Sequence, residues 1–268
     1  MLHHEINQVR QAVTGDSLAA RDLGRTFGRT QALRGVSVGF VEGVNGILGP
    51  NGAGKTTLFR ILTGALRPTS GSVLWQGESL RDRNRMRQYQ RQVGYLPQDP
   101  GWFEGFTVME LCGYFAALRA VPRRERSGRV AGAIDMVGLG AEARKRLKDL
   151  SGGQRRRAFI AQTLVHDPGV IVLDEPTSGL DPIQRVQLRE LVADLGQGRI
   201  VLLSTHLVED VAQTARRVFV LETGRLVWQG SPAELSKLGG RRGDTENSVT
   251  TAYERGFLAT LEEPDNDS

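Results

Sequence analysis

Hydrophobic and polar positions change period several times along the chain, and each change marks an element. The stretches SLAARDLGRTF and LRGVSVGF carry apolar residues at strand-like spacing with turn residues between them, predicting two strands. GVNGIL is a short strand that runs into a glycine-rich turn, and residues 56–63 continue as helix. GSVLWQG reads as a further strand, followed by an arginine-rich helical connection and a short strand at VGYLPQ. Val108, Leu111, Phe115 and Leu118 then recur at helical spacing, and more helix follows to about Val137. VIVLD and RIVLLSTH are continuous apolar runs, the pattern of strands covered on both faces of a parallel sheet. Asp181 and Pro182 open a helix whose face is lined by Leu188, Leu191, Val192 and Leu195. RRVFVLETGRLVWQG predicts a hairpin turning at Thr223 and Gly224.

This order divides the chain into a polar N-terminal extension at 1–17, one large domain at 18–238 with a helical block near 100–150, and a polar, weakly ordered tail at 239–268. No internal repeat is visible.

Composition narrows the classes. The longest apolar runs fall far short of the ~18 residues of a membrane span, and the N-terminus lacks a basic start followed by an apolar stretch. Cys112 is the single cysteine, so no internal disulfide forms, and its thiol suits a reducing compartment. Any membrane role is therefore expected to run through a partner. The formal charge of +5 comes from 35 basic and 30 acidic residues, and the basic ones scatter in short groups at 81–87, 123–126, 144–148 and 155–157. These read as solvated surface, and the aromatic interleaving of a nucleic-acid platform is missing, so no nucleic-acid partner is expected.

Candidate chemistry begins at ILGPNGAGKTTLFRIL, residues 47–62. Gly49, Pro50, Asn51, Gly52, Ala53 and Gly54 form a loop between strand and helix, followed by Lys55, Thr56 and Thr57. Glycines let successive amides point inward, and the new helix offers its unpaired N–H groups to the same anion. Lys55 reaches outer phosphates, the Thr56 hydroxyl ligates Mg²⁺, and Thr57 adds a second hydroxyl. At the end of the VIVL strand, Asp174 is placed to hold Mg²⁺, and the next residue, Glu175, to polarise an attacking water.

LSGGQ at 150–154 resembles the signature of the ABC-type ATPases, and the resemblance covers about residues 18–235. GPNGAGKTT resembles that family's Walker A, VIVLDEPT its Walker B with the catalytic glutamate, SGLD at 178–181 its D-loop, YLPQD its Q-loop and STH its switch histidine, all in family order. The resemblance implies an α/β, RecA-like P-loop NTPase core with an antiparallel β subdomain and an α-helical signature subdomain. It implies ATP and Mg²⁺ as ligands, with Glu175, His206, Gln98 and Lys55 in catalysis and Gln98 also near the metal. Ser151, Gly152, Gly153 and Gln154 start a second helix; the resemblance has them cover the γ-phosphate held by another chain, in a head-to-tail homodimer or a pair with a related ATPase. Phe27 occupies the place of an aromatic that stacks on adenine, and Asp181 of a residue acting across the dimer interface.

Trp102, Phe103 and Phe106, large apolar residues among glycines, are expected to mark the surface that receives a separately encoded multi-span membrane subunit. The resemblance thus implies a peripheral subunit at the cytoplasmic face of the membrane, nearest to ABC-2-type exporters. The competing class is a soluble ABC ATPase acting on ribosomes or DNA. It is disfavoured because the chain carries one motif set and no long heptad run.

Overall fold

The computed structural model describes residues 18–101, 103, 105–240 and 251–262. Among these residues ten strands form two sheets. Strands β1 (Leu18–Phe27), β2 (Thr30–Phe40), β4 (Ser70–Trp75) and β5 (Glu78–Ser79) make an antiparallel sheet in the order β2-β1-β4-β5. The larger sheet contains β3 (Gly43–Leu48), β6 (Val93–Leu96), β7 (Val170–Asp174), β8 (Ile200–Thr205), β9 (Arg217–Glu222) and β10 (Arg225–Gly230), ordered β10-β9-β3-β8-β7-β6. All its neighbours run parallel except the β9–β10 hairpin, which turns at Thr223 and Gly224, both with positive φ.

The continuous apolar runs become the central strands because helices or a second sheet cover both faces. Alternate residues of one strand feed opposite layers. Ile171, Leu173, Val201 and Leu203 join a core shared with the helical block, whereas Val170, Val172, Ile200 and Leu202 join a core shared with the antiparallel sheet and helix α1 (Lys55–Leu62). The arginine-rich connection is helix α2 (Arg83–Gln90), capped by Asp82, which accepts from the amides of Asn84 and Arg85.

The helical block contains α3 (Val108–Leu118) and α4 (Arg126–Met136), two 3₁₀ turns and the start of α5 (Gly152–Leu164). A capping box between Thr107 and Glu110 fixes where α3 begins. The helix expected to about Val137 is a second one, ending at Met136; the chain turns between α3 and α4 at Ala120, which has positive φ, just ahead of Pro122. Leu118, which continues the helical spacing, is exposed at the last position of α3. Cys112 is fully buried, and burial pushes its thiol up to about 12, so it stays protonated. No helix among the described residues is long and apolar enough to cross a membrane.

Helix α6 (Pro182–Leu195) follows β7, and α7 (Val208–Thr214) follows β8. The chain then forms α8 (Pro232–Gly240) and α9 (Ala252–Glu262). The expected weakly ordered tail is thus corrected over 251–262. Tyr253, Phe257 and Leu261 fall at i, i+4, i+8 and pack on a small core of Val208, Val211, Val218, Val220 and Leu235. The two helices cross at glycine: a Cβ on Gly256 would lie 1.9 Å from the Leu235 carbonyl oxygen, a separation no side chain tolerates. The remainder of the expected tail, and the extension at 1–17, lie outside the described residues.

His166, beyond the end of α5, sets a pH dependence. Its Nε2 donates to the Val93 carbonyl at 3.1 Å. Burial, reinforced by Arg119, lowers its pKa from 6.5 to about 4, outweighing the Val93 carbonyl and Asp167. The folded imidazole therefore stays neutral where the unfolded one takes up a proton. This contribution is fully present above the unfolded pKa and is lost as pH falls from about 6.5 towards 4. Acidifying from pH 7 to 4.5 is expected to cost on the order of 2 kcal/mol through this group. His166→Gln, which keeps a donor for Val93, should flatten the Tm-against-pH curve over that window; parallel curves for the two proteins would contradict the assignment.

Candidate active site

The loop between β3 and α1 closes with Gly54 as the N-cap of α1, at φ 105°. A Cβ at Gly54 would stand 2.6 Å from the Ala32 carbonyl oxygen, so only glycine fits this left-handed position. No side chain caps the helix. The amides of Lys55, Thr56 and Thr57 therefore precede the first intrahelical bond, which runs from Leu58 N–H to Gly54 O. Asn51 and Gly52 are exposed, Ala53 and Lys55 buried, and Thr56 and Thr57 half-buried at the mouth of the loop. Amides left free at a helix start in this way are the donors that an anion would use.

Lys55 folds back over this loop. Its Nζ donates to the carbonyls of Gly49 at 2.6 Å and Pro50 at 3.1 Å and lies 3.5 Å from Glu175 Oε1. The other carboxylate oxygen, Oε2, accepts from His206 Nδ1 at 2.8 Å. Glu175 thus links a buried ammonium to a half-exposed imidazole. Its backbone is left-handed, φ 49°, a strained state for a non-glycine residue and one that clusters at functional sites.

Ser204 holds both acids in register. Its hydroxyl donates to Asp174 Oδ1 at 2.6 Å and accepts from the Glu175 amide at 2.9 Å. Asp174 Oδ2 is buried without a hydrogen-bond partner among the described residues. A carboxylate with one oxygen anchored and the other unsatisfied fits a divalent cation. No cluster of three or more His, Cys, Asp or Glu that could hold a metal occurs among the described residues. Mg²⁺ is a divalent cation that takes one or two protein oxygens and fills its shell with water and phosphate.

Arg156, on α5, had been grouped with the solvated arginines at 155–157; the structure corrects this. Its guanidinium donates to the carbonyls of Pro176 at 2.9 Å, Asp174 at 3.0 Å and Glu175 at 2.7 Å, and more weakly to Gln98 at 3.4 Å. Burial lowers its pKa to about 10, against the pull of Asp174 and Glu175, so it remains charged at neutral pH. One side chain ties the helix that follows LSGGQ, the end of β7 and the Gln98 backbone together. The usable clue was helical spacing: Arg156 shares a face with the buried Gly153 and Ile160. Ser204 was overlooked although it stands two residues before His206.

Other candidates lie apart from this network. Gln98 is exposed and meets it through its backbone. Ser151 and Gln154 form a reciprocal capping box at the start of α5, with Ser151 and Gly152 exposed and Gly153 packed close under Gln184 of α6. Phe27, at the end of β1, is exposed, with the Arg25 guanidinium 4.5 Å from its ring centroid. Asp181 is the N-cap of α6. Trp102 lies outside the described residues. Phe103 and Phe106 are half-buried, in edge contact at 5.8 Å and packed against the helical core, with Tyr114 at the exposed end of the group.

A largely parallel sheet, an amide-lined loop with a buried lysine, and an Asp–Glu pair leaving the next-but-one strand make a fold of the phosphate-loop class. The family model described as ABC transporter matches residues 33–178, more than half of the chain, and the chain belongs to that family. It is 37% identical over 211 residues to the ABC transporter ATP-binding protein sll0415 of Synechocystis, covering 77% of this chain and 58% of that one. It is 36% identical over 223 residues to Nod factor export ATP-binding protein I of Ralstonia nicotianae, covering 81% and 68%. Among solved structures, cbiO1 of Clostridium perfringens, part of the ABC transporter complex cbiONQ, superposes with a TM-score of 0.75 at 31% identity, over 85% of this chain and 96% of that one.

Proposed function

We propose that this chain binds and hydrolyses ATP as the nucleotide-binding subunit of a transporter, closing head to tail as a dimer on two ATP–Mg²⁺ and driving a separate membrane subunit in export. The observation that carries the reading is the Lys55–Glu175–His206 chain beside the unsatisfied Asp174 oxygen. The loop amides and Lys55 hold the β- and γ-phosphates. Thr56, Asp174 and Gln98 would hold Mg²⁺, which neutralises phosphate charge when bound. Glu175, held between Lys55 and His206, takes a proton from water as the water oxygen attacks the γ-phosphorus. The bond to the bridging oxygen breaks and ADP leaves. His206 is exposed enough to reach the γ-phosphate from its side of the pair.

Ser151 and Gly152 present the exposed start of α5, a second set of helix-terminal amides. In the proposed dimer they cover the partner's γ-phosphate, and Phe27 stacks on adenine. Arg156 joins this helix to the acid pair, so closure on the partner's nucleotide is felt at Glu175. The output surface is the aromatic group around Phe103, Phe106 and Tyr114. Export is drawn from the Nod factor export relative, and a place in a multi-subunit complex from cbiO1. The subunit then sits at the cytoplasmic membrane face through its partner.

The deciding experiment is purification of the tagged chain from detergent-solubilised native membranes, with co-purifying proteins identified by mass spectrometry. A multi-span membrane protein in about equal amount is expected. Recovery of ribosomes or DNA-bound proteins instead would overturn the transporter assignment while leaving the ATPase intact.

A further inference from the structure

The arginine-rich connection has no part in the ATP site, yet it borders a concavity of about 580 Å³ between the C-terminal end of α1, strand β4 and helix α2. This is within the ordinary size range of small-molecule sites. Arg67, Arg81, Arg83 and Arg87 stand around it, and no carboxylate is among the described residues that line it. Arg85, between them in sequence, is spent elsewhere: it pairs with Glu78 at 3.1 Å and lies over the Trp75 ring at 4.7 Å. Arg81 is oriented by a bond from its Nη2 to the Gly71 carbonyl at 2.9 Å. Arg67, Arg83 and Arg87 make no ion pair among the described residues. The floor is apolar, formed in part by Ile61, Val73 and Leu80. Four like charges around one hollow repel one another, and that repulsion is relieved by an anion able to accept from several guanidiniums at once.

We propose that this concavity binds a phosphate-bearing amphiphile, the phosphate held by the arginine rim and the apolar portion seated on the floor. Phosphate suits the rim because its oxygens accept from two or more guanidinium forks. An apolar portion suits the floor, which inorganic phosphate would leave wet. The site is distinct from the ATP loop: α1 starts at Lys55 and the concavity lies at its other end, roughly 10 Å along the helix axis. The same chemistry is supplied by an anionic membrane lipid or by a soluble phosphorylated metabolite with an apolar body.

The test uses the full chain saturated with ADP, so that the phosphate loop is filled. Dihexanoyl-phosphatidic acid, below its micellar concentration, is titrated calorimetrically. Saturable binding is expected, at least tenfold weaker in Arg83→Glu/Arg87→Glu and at least tenfold weaker for dihexanoyl-phosphatidylcholine. ADP affinity and Tm should be unchanged in the variant; should it fold poorly, Arg83→Gln/Arg87→Gln replaces it. Equal binding to wild type and variant, equal binding of the choline lipid, or no saturable binding would each overturn the proposal. Flotation with phosphatidic-acid vesicles separates the sources: co-flotation that is lost in the variant assigns a membrane lipid, and binding of the soluble probe without flotation assigns a free metabolite.

Discussion

Glu175→Gln is expected to reduce ATP turnover by about 10²–10⁴-fold while leaving ATP binding intact. Glutamine keeps the volume and one carbonyl acceptor for His206 Nδ1, so the geometry of the pair survives. What is lost is the charge that accepts a proton from water. The same change removes the anion 3.5 Å from Lys55, freeing that ammonium to serve phosphate alone, so ATP affinity should hold or rise. A variant that binds but cannot hydrolyse should accumulate as the ATP-bound dimer. Phosphate release, equilibrium ATP binding and sedimentation velocity, measured on one preparation, check all three outcomes. Turnover within threefold of wild type would remove Glu175 from the chemistry and with it the proposed mechanism.

Arg156→Ala should damage both stability and catalysis. The guanidinium satisfies carbonyls of Pro176, Asp174 and Glu175 within 3.0 Å, and truncation leaves acceptors on these buried residues without their donor. The expected cost is about 2–4 kcal/mol. Catalysis falls for a separate reason: the turn carrying Asp174 and Glu175 loses the side chain that holds it to α5. As a positioning residue, Arg156 should show its loss mainly in kcat, by roughly tenfold or more, with KM for ATP little changed. Arg156→Lys keeps the charge but cannot span several carbonyls with one ammonium, so it should recover more Tm than kcat. Thermal melts beside ATPase kinetics for both variants decide this. An alanine variant with wild-type Tm and kcat would show that the bonds to the turn carry no load.

Much of the site was legible because its parts are contiguous. Residues 49–57 contain both the glycine-permitted turn and the helix start that exposes amides, so loop, lysine and hydroxyls follow from local chemistry alone. The apolar runs around Val172 and Leu202 announced a sheet covered on both faces, since a strand with a solvated face would alternate. The hairpin at Thr223–Gly224, the helix start at Asp181 and the helix start at residues 151–154 are likewise local, and the structure has each of them.

Relations between distant residues were decided by the tertiary structure. Ser204 and Asp174 are 30 positions apart and His206 and Glu175 are 31; they meet because β7 and β8 lie side by side in the sheet, an adjacency no short stretch encodes. Arg156 read as surface because charge favours water, until three carbonyls at the end of β7 offered it a substitute for that water. Leu118 continues the apolar spacing of α3, but it is the last residue of that helix and stands exposed. The polar composition after Gly239 concealed a helix that needs only three apolar side chains and a glycine crossing to dock. By itself, the sequence determined the phosphate loop, the acid pair and the layered α/β core, because these depend on neighbours along the chain. Which side chain meets which across the sheet was decided by packing, because burial alone determines whether a charge or a hydroxyl trades water for a partner.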